Sequence, residues 1–321
     1  MKTTVIIPNF NGMKFLPDCI EALEKQSAKD FAVLVVDNGS SDGSVEWLKA
    51  REVPHIALPE NLGFDGGVNV GIRATDTEYV LLLNNDTIPE PDFVRELEAA
   101  IEKSPEIFAV SAMMIIASDH RQIDSAGDGY SILGWAYQRG AYEPVTEYGE
   151  PRTVFSACAG AAIYRREILD SIGLFDEMHF AYLEDIDICY RARIAGYRSE
   201  YCPTARVYHL GSATSGSKYN AFKVRLSSRN NIYLIYKNQP LPQRILNFLP
   251  LLLGTVLKGA FYAKLGYFKE YREGIKEGLA TRSKCRRAPK AARGLVTYLS
   301  IEWDLIRGMW EYTKGYLKRH R

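Results

Sequence analysis

At 321 residues the chain has room for one large domain with an appendage, or for two domains. It is 46% hydrophobic and 25% charged, the composition of a folded protein, and its formal net charge of +1 argues against a general nucleic-acid binder. The five cysteines (Cys19, Cys158, Cys189, Cys202 and Cys285) are odd in number, scattered and without a CxxC pair. They suggest neither a disulfide framework nor a zinc site, and the expected setting is a reducing cytoplasm.

The N-terminal stretch is too short in apolar residues for a signal peptide and reads as a first strand over 3–7, stopped by Pro8-Asn9-Phe10-Asn11-Gly12. Phe15, Leu16, Cys19, Ile20 and Leu23 then recur at helical spacing. Residues 31–36 form a second buried strand that ends in the polar cluster 37–43, where Ser41 or Asp42 can cap the next helix. A short third strand over 55–58 precedes the glycine-rich stretch 60–72, which reads as a loop leading into a helix. The fourth strand, Tyr79-Val80-Leu81-Leu82-Leu83, is continuously apolar and turns polar at once in Asn84-Asn85-Asp86-Thr87, the pattern of a buried central strand. After Pro89 and Pro91 a helix starts at Asp92. Strands alternating with helices at this spacing give a βαβαβ parallel sheet.

Three strands end in polar clusters on one edge of that sheet, so Asp37, the 63–71 loop and Asp86 line a common crevice. Asn and Asp are ordinary turn residues, and on Asp86 alone a plain strand-to-helix turn is an equal reading. A glycine-rich loop opening a helix favours phosphate, although neither GxGxxG nor GxxxxGK[ST] is present. Two acidic strand ends together with this loop make a nucleotide crevice the better reading.

The stretches VIIPNFNG (5–12), VVDNGSSDGS (35–44), ENLGFDGGVNVGI (60–72) and LLLNNDTIPEP (81–91) resemble family 2 glycosyltransferases of the GT-A fold, nearest to the bacterial rhamnosyltransferase-like group. The resemblance continues through Ala159-Gly160-Ala161-Ala162, through 172–177, and through Glu184-Asp185-Ile186-Asp187 with Ala195-Gly196-Tyr197, in order over about residues 1–240. It implies an α/β GT-A fold, a mainly parallel central sheet flanked by helices. The catalytic domain would span 1–238, and a helical, amphipathic and basic region 239–321. It also implies inverting transfer of a sugar from a dTDP-, UDP- or GDP-sugar to a hydroxyl of a lipid-linked glycan in cell-surface polysaccharide synthesis.

In this family the residues after the fourth strand form a DxD-type motif that binds a divalent cation on the donor diphosphate. Here it reads Asn84-Asn85-Asp86, leaving Asp86 as the anionic ligand for Mn2+ or Mg2+. His209, after the short strand 205–208, is the expected second metal ligand. Asp185 matches the position of the base that takes the acceptor proton, with Glu184 beside it; Asp187 reads as a helix N-terminal acid favoured by the dipole. Nucleotide contacts carry over to Pro8, Asn9, Asp37, Asn61, Gly63 and Asn85. One of Lys218, Arg225 and Arg229 would reach the diphosphate from a mobile segment over 211–220. His55, His120, His179 and His320 match no motif.

From Pro240 the character changes. Residues 245–257 are intensely apolar but end at Lys258 before a bilayer span is reached, and a basic run without an acid follows, from Arg282 to Arg293. Apolar-aromatic faces beside Lys and Arg fit peripheral attachment to the inner face of the cell membrane; a helical cap or a homo-oligomer contact is the alternative. Two rival functions remain at this stage. A sugar-phosphate nucleotidyltransferase would need a basic N-terminal loop, which Pro8-Asn9-Phe10-Asn11-Gly12 lacks. A non-catalytic nucleotide-sugar-binding protein at a membrane would be indifferent to Asp185→Asn.

Overall fold

A computed structural model describes residues 1–210 and 219–319. The strands, in chain order, are β1 (Thr3–Asn9), β2 (Phe31–Asp37), β3 (His55–Ala57), β4 (Tyr79–Leu83), β5 (Thr87–Pro89), β6 (Ile107–Ile116), β7 (Ile123–Ser125), β8 (Asp128–Tyr130), β9 (Ala136–Gln138), β10 (Arg152–Val154), β11 (Ala161–Arg165) and β12 (Arg198–His209). The helices are α1 (Leu16–Glu24), α2 (Ser44–Ala50), α3 (Gly63–Arg73), α4 (Phe93–Ile101), α5 (Arg166–Ile172), α6 (Glu184–Ile194), α7 (Ala221–Asn238), α8 (Leu241–Leu246), α9 (Phe248–Lys264), α10 (Phe268–Thr281) and α11 (Leu295–Arg319).

The main sheet runs β10-β12-β6-β11-β4-β1-β2-β3, with β5 and β7 paired at its side. Strands β4, β1, β2 and β3 are mutually parallel, β12 is parallel to β6, and β11 runs antiparallel between β4 and β6. This explains the uninterrupted apolar run of β4. Leu82 has Ile6 on one side and Ala162 on the other, and both faces of the strand are covered. Val5, Ile7, Leu81 and Leu83 pack under α1 and α4, whereas Ile6, Val80 and Leu82 pack under α3 and α5. Each such side chain contributes about 1.5–3 kcal/mol on burial.

Four sequence expectations change. The first strand does not stop at Pro8: pairing with β2 continues to Asn9↔Asp37, so both residues lie on the sheet edge itself. The glycine-rich stretch is not a loop, because Gly63, Gly66, Gly67 and Gly71 all lie within α3. There the missing side chains let the helix approach the sheet; a Cβ on Gly71 would fall 2.6 Å from Ile6. The strand before His209 is twelve residues long, not four, and is broken in register between Cys202 and Arg206, around Pro203. Glu184 and Asp185 do not precede a helix but open it.

The C-terminal helices share the core of the α/β part. Ile301 and Leu305 of α11 pack with Leu234 of α7, Ile186 and Tyr190 of α6, and Tyr130 and Phe155. On α9, Phe248, Leu249, Leu252, Leu253, Val256 and Leu257 are exposed, and no described helix is long and apolar enough to cross a membrane.

Candidate active site

The carboxyl ends of β1, β2 and β4 are tied together by side-chain amides. Asn9 accepts from Asn85 Nδ2 at 2.6 Å and donates to Asp37 at 2.8 Å and to Ser40 Oγ at 3.3 Å. Glycine is required at position 12, where a Cβ would stand 2.0 Å from Asn85 Nδ2. Asn38 donates to Asn61 Oδ1 and to the Gly63 carbonyl, and Asn61 accepts from the Gly63 amide at 2.8 Å. Gly63 starts α3 at φ +77°, a conformation only glycine adopts without strain. Pro8, Asn9, Asp37, Asn61, Gly63 and Asn85 therefore do converge on one edge. Asp37, however, is 0% exposed, with its oxygens accepting from Asn9 and from the Ser40 amide. It orients Asn9 and the following turn; it is not a free acceptor facing the crevice. Asp42 accepts from Ser44, just inside the start of α2, and from the Met13 amide, joining two loops.

Beyond β4 the structure brings Asp86 and His209 together, and adds an acid the sequence did not single out. His209 Nε2 lies 3.4 Å from Asp86 Oδ1, and its Nδ1 lies 2.8 Å from Asp124 Oδ2. Burial alone would lower His209, but the hydrogen bonds to Asp124 and Asp86 outweigh it and raise its pKa to about 10. A carboxylate on one imidazole nitrogen fixes the ring so that the other faces a cation. The 3.4 Å separation suits two neighbouring ligands each about 2.0–2.2 Å from one ion. The donors are oxygen and imidazole nitrogen, so these residues fit a divalent cation that would displace the proton on Nε2.

A second acidic group stands beside the first. Asp128, Cys158 and Asp185 have ligand-type atoms within 4.8 Å of one another. The Asp128 and Asp185 carboxyls interact directly, and burial followed by the Asp185 charge raises Asp128 well above the carboxylate range. Burial also raises Asp185, against hydrogen bonds from Asp128 and from the Ile186 amide at 2.7 Å. Both acids are raised, so the pair favours holding one proton between them. Burial, then Asp185, pushes Glu184 up to about 8, and its Oε2 has no partner among the described residues. Asp65 on α3 is fully buried with neither oxygen bonded among the described residues; burial, then Glu184, raises it well above its ordinary value. Nothing in the spacing of Asp65, Asp124 or Asp128 marks them, because each reaches its cluster from a separate element.

Helix α7 holds the approach to Glu184 and Asp185. Phe180, Tyr182 and Leu183 all have φ between 64° and 73°, a conformation costing about 1–2 kcal/mol per residue. Buried Asn230 offsets this, with Nδ2 at 2.9, 2.8 and 2.8 Å from the carbonyls of His179, Ala181 and Tyr182. Asp187 is no surface dipole acid. It is 1% exposed and binds Arg191 at 3.0 Å, Lys237 at 2.9 Å and Asn238 at 2.7 Å, while Lys237 also binds Asp176 at 2.5 Å. Burial would raise Asp187, but Lys237 and Arg191 hold it below the usual carboxylate range. Arg225 and Arg229 are both engaged by Glu277, which leaves neither directed at a diphosphate; Lys218 and the expected mobile segment fall outside the described residues.

Comparisons with known proteins point one way. The family model described as Glycosyl transferase family 2 matches residues 4–173. An uncharacterised protein of Sinorhizobium fredii, y4gI, is 27% identical over 228 residues, which are 66% of this chain and 25% of that one. The N-acetylglucosaminyl-diphospho-decaprenol L-rhamnosyltransferase of Mycobacterium tuberculosis is 27% identical over 241 residues, 66% of this chain and 77% of its own. A crystal structure of GalNAc-T7 with UDP, GalNAc and Mn2+ matches 74% of this chain and 48% of its own, with a TM-score of 0.60 and 15% identity, a likeness of fold.

Proposed function

The chain belongs to glycosyl transferase family 2, and from that premise we propose that it transfers a sugar, rhamnose first among the candidates, from a nucleotide-diphosphate sugar to a glycan hydroxyl with inversion at C1. The observation that carries the reading is that one short segment, 124–128, supplies an acid to each of two clusters. Asp124 orients His209 opposite Asp86, and Asp128 shares a proton with Asp185. The donor diphosphate belongs at the first cluster and the acceptor hydroxyl at the second.

Asp185 takes the acceptor proton as the new bond to C1 forms and the bond from C1 to the diphosphate breaks. Its basicity is raised by burial, and its hydrogen bond with Asp128 opposes that rise. The transition state is oxocarbenium-like, as in glycoside hydrolysis. Asp86 and His209 would hold a Mn2+ or Mg2+ ion, which when bound neutralises the leaving diphosphate. Asn9, Asn61, Gly63 and Asn85 border the crevice for the base and ribose. An acceptor on a lipid carrier would bring the enzyme to the inner face of the cell membrane, and the exposed apolar face of α9 supports peripheral attachment. Family membership sets aside the nucleotidyltransferase alternative.

The test is a panel of dTDP-, UDP- and GDP-sugars read by thermal shift with and without Mn2+, followed by hydrolysis of the stabilising donor. A cation-dependent shift with at least one donor is expected; no shift with any of them overturns the reading.

A further inference from the structure

Behind Asp128 lies a cavity of about 590 Å3. One wall comes from β8, β9 and β10, the other from α11, which approaches so closely that a Cβ on Gly308 would fall 2.3 Å from the Tyr130 carbonyl. Four guanidinium groups line it. Arg193 is paired with Asp304 at 2.8 Å and Arg152 with Glu311 at 2.7 Å. Arg139 has no acid. It donates to the Ala126 carbonyl at 2.9 Å and lies over the rings of Tyr148 and Tyr201. Arg307 is exposed and makes no hydrogen bond or ion pair among the described residues. The carboxyls that line the cavity are Asp128, Asp304 and Glu311. Guanidinium groups therefore outnumber carboxyls, the unpaired Arg139 is half-buried, and the cavity touches the residue beside the base.

An unneutralised guanidinium in a partly desolvated pocket calls for an anion, and Arg is suited to planar, two-pronged recognition of phosphate or carboxylate. Burial, then Arg152, lowers Arg139, which is the cost an anionic ligand would remove. We propose that this cavity is the acceptor subsite and that the acceptor is an anionic glycan, its phosphate, diphosphate or carboxylate held by Arg139 and Arg307 while its hydroxyl meets Asp185. The assignment rests on the transferase reading. The family match ends at residue 173, so α11, which contributes Arg307, is an element the match does not reach.

The experiment uses the full chain and three ligands sharing one sugar: a short-chain alkyl diphosphate ester, a uronate-bearing glycoside and a neutral alkyl glycoside. Calorimetric binding needs no donor and isolates the cavity. The anionic ligands are expected to bind about tenfold or more tightly than the neutral one, and Arg139→Gln and Arg307→Ala are each expected to weaken them about tenfold. Preference for the diphosphate ester places the charge in a lipid-carrier linkage; preference for the uronate places it in the sugar. Equal binding of the neutral glycoside, or anion binding unchanged in both variants, overturns the proposal. Arg307 is exposed, so its variant stays informative where Arg139→Gln fails to fold. The donor thermal shift, read separately, shows whether the transferase reading stands.

Discussion

Asp185 and Asp187 sit two positions apart in the first turn of α6, the first half-buried and the second fully buried, and they have opposite fates. Asp187 faces α7, where Lys237, Asn238 and Arg191 surround it with cation and donors. Asp185 faces β8, where its partner is another carboxyl. One side of the turn is an ion-paired clamp with its charge settled; the other is a proton-sharing pair kept basic. Desolvation raises both acids, so the neighbour decides whether such an acid serves stability or chemistry.

The largest effect should come from the chemical side. Asp185→Asn is expected to cut transfer by about 10²–10⁴-fold while donor binding by thermal shift is retained, and turnover near wild type would place the base elsewhere. On the clamp side, Lys237→Met leaves Asp176 and Asp187 buried without their cation and should cost about 3–5 kcal/mol in denaturant unfolding. The sign of the pH dependence follows from Asp187. Its folded pKa lies below the unfolded value, so its stabilisation is full above about pH 4 and fades as the pH falls further. Lys237→Met should flatten that acid limb.

Asp124→Asn should weaken Mn2+ affinity by about 10–100-fold, measured through the cation dependence of donor binding, since it frees the imidazole that faces Asp86. Asn230→Ala removes the shared donor to three strained carbonyls and is expected to cost about 1–3 kcal/mol together with a fall in kcat. The smallest effect is a slope. Asp65 faces Glu184, Asp187 and Asp176 with only Lys237 opposing, and its raised pKa means that stability falls as the pH climbs from about 4 towards the folded value. Asp65→Asn should reduce that fall in unfolding experiments; a slope identical to wild type would show that Asp65 does not carry it.

The same contrast separates what the sequence made legible from what it did not. Strand β4 could be read because both its neighbours are apolar and continuous, and Asp86 and His209 could be paired through the family resemblance. The clamp could not. Asp187, Asp176 and Lys237 come from three elements, and a first-turn acid looks alike whether it meets water or lysine. Asp124 and Asp128 sit on three-residue strands with no periodicity to expose them. The helix start at Gly63 was hidden because its glycines, of which Gly71 is needed for close packing on Ile6 and Val36, carry the composition of a loop.

The contact of α11 with Tyr130 bears on how far the chain can be shortened. Composition changes near residue 238, but the apolar cluster around Tyr130, Phe155 and Tyr190 is completed by Ile301 and Leu305. A chain cut after Asn238 would present those aromatic side chains to water and lose the Asp304 partner of Arg193. The α/β part and α11 therefore share one apolar core, and the last helix braces the floor beneath Asp185.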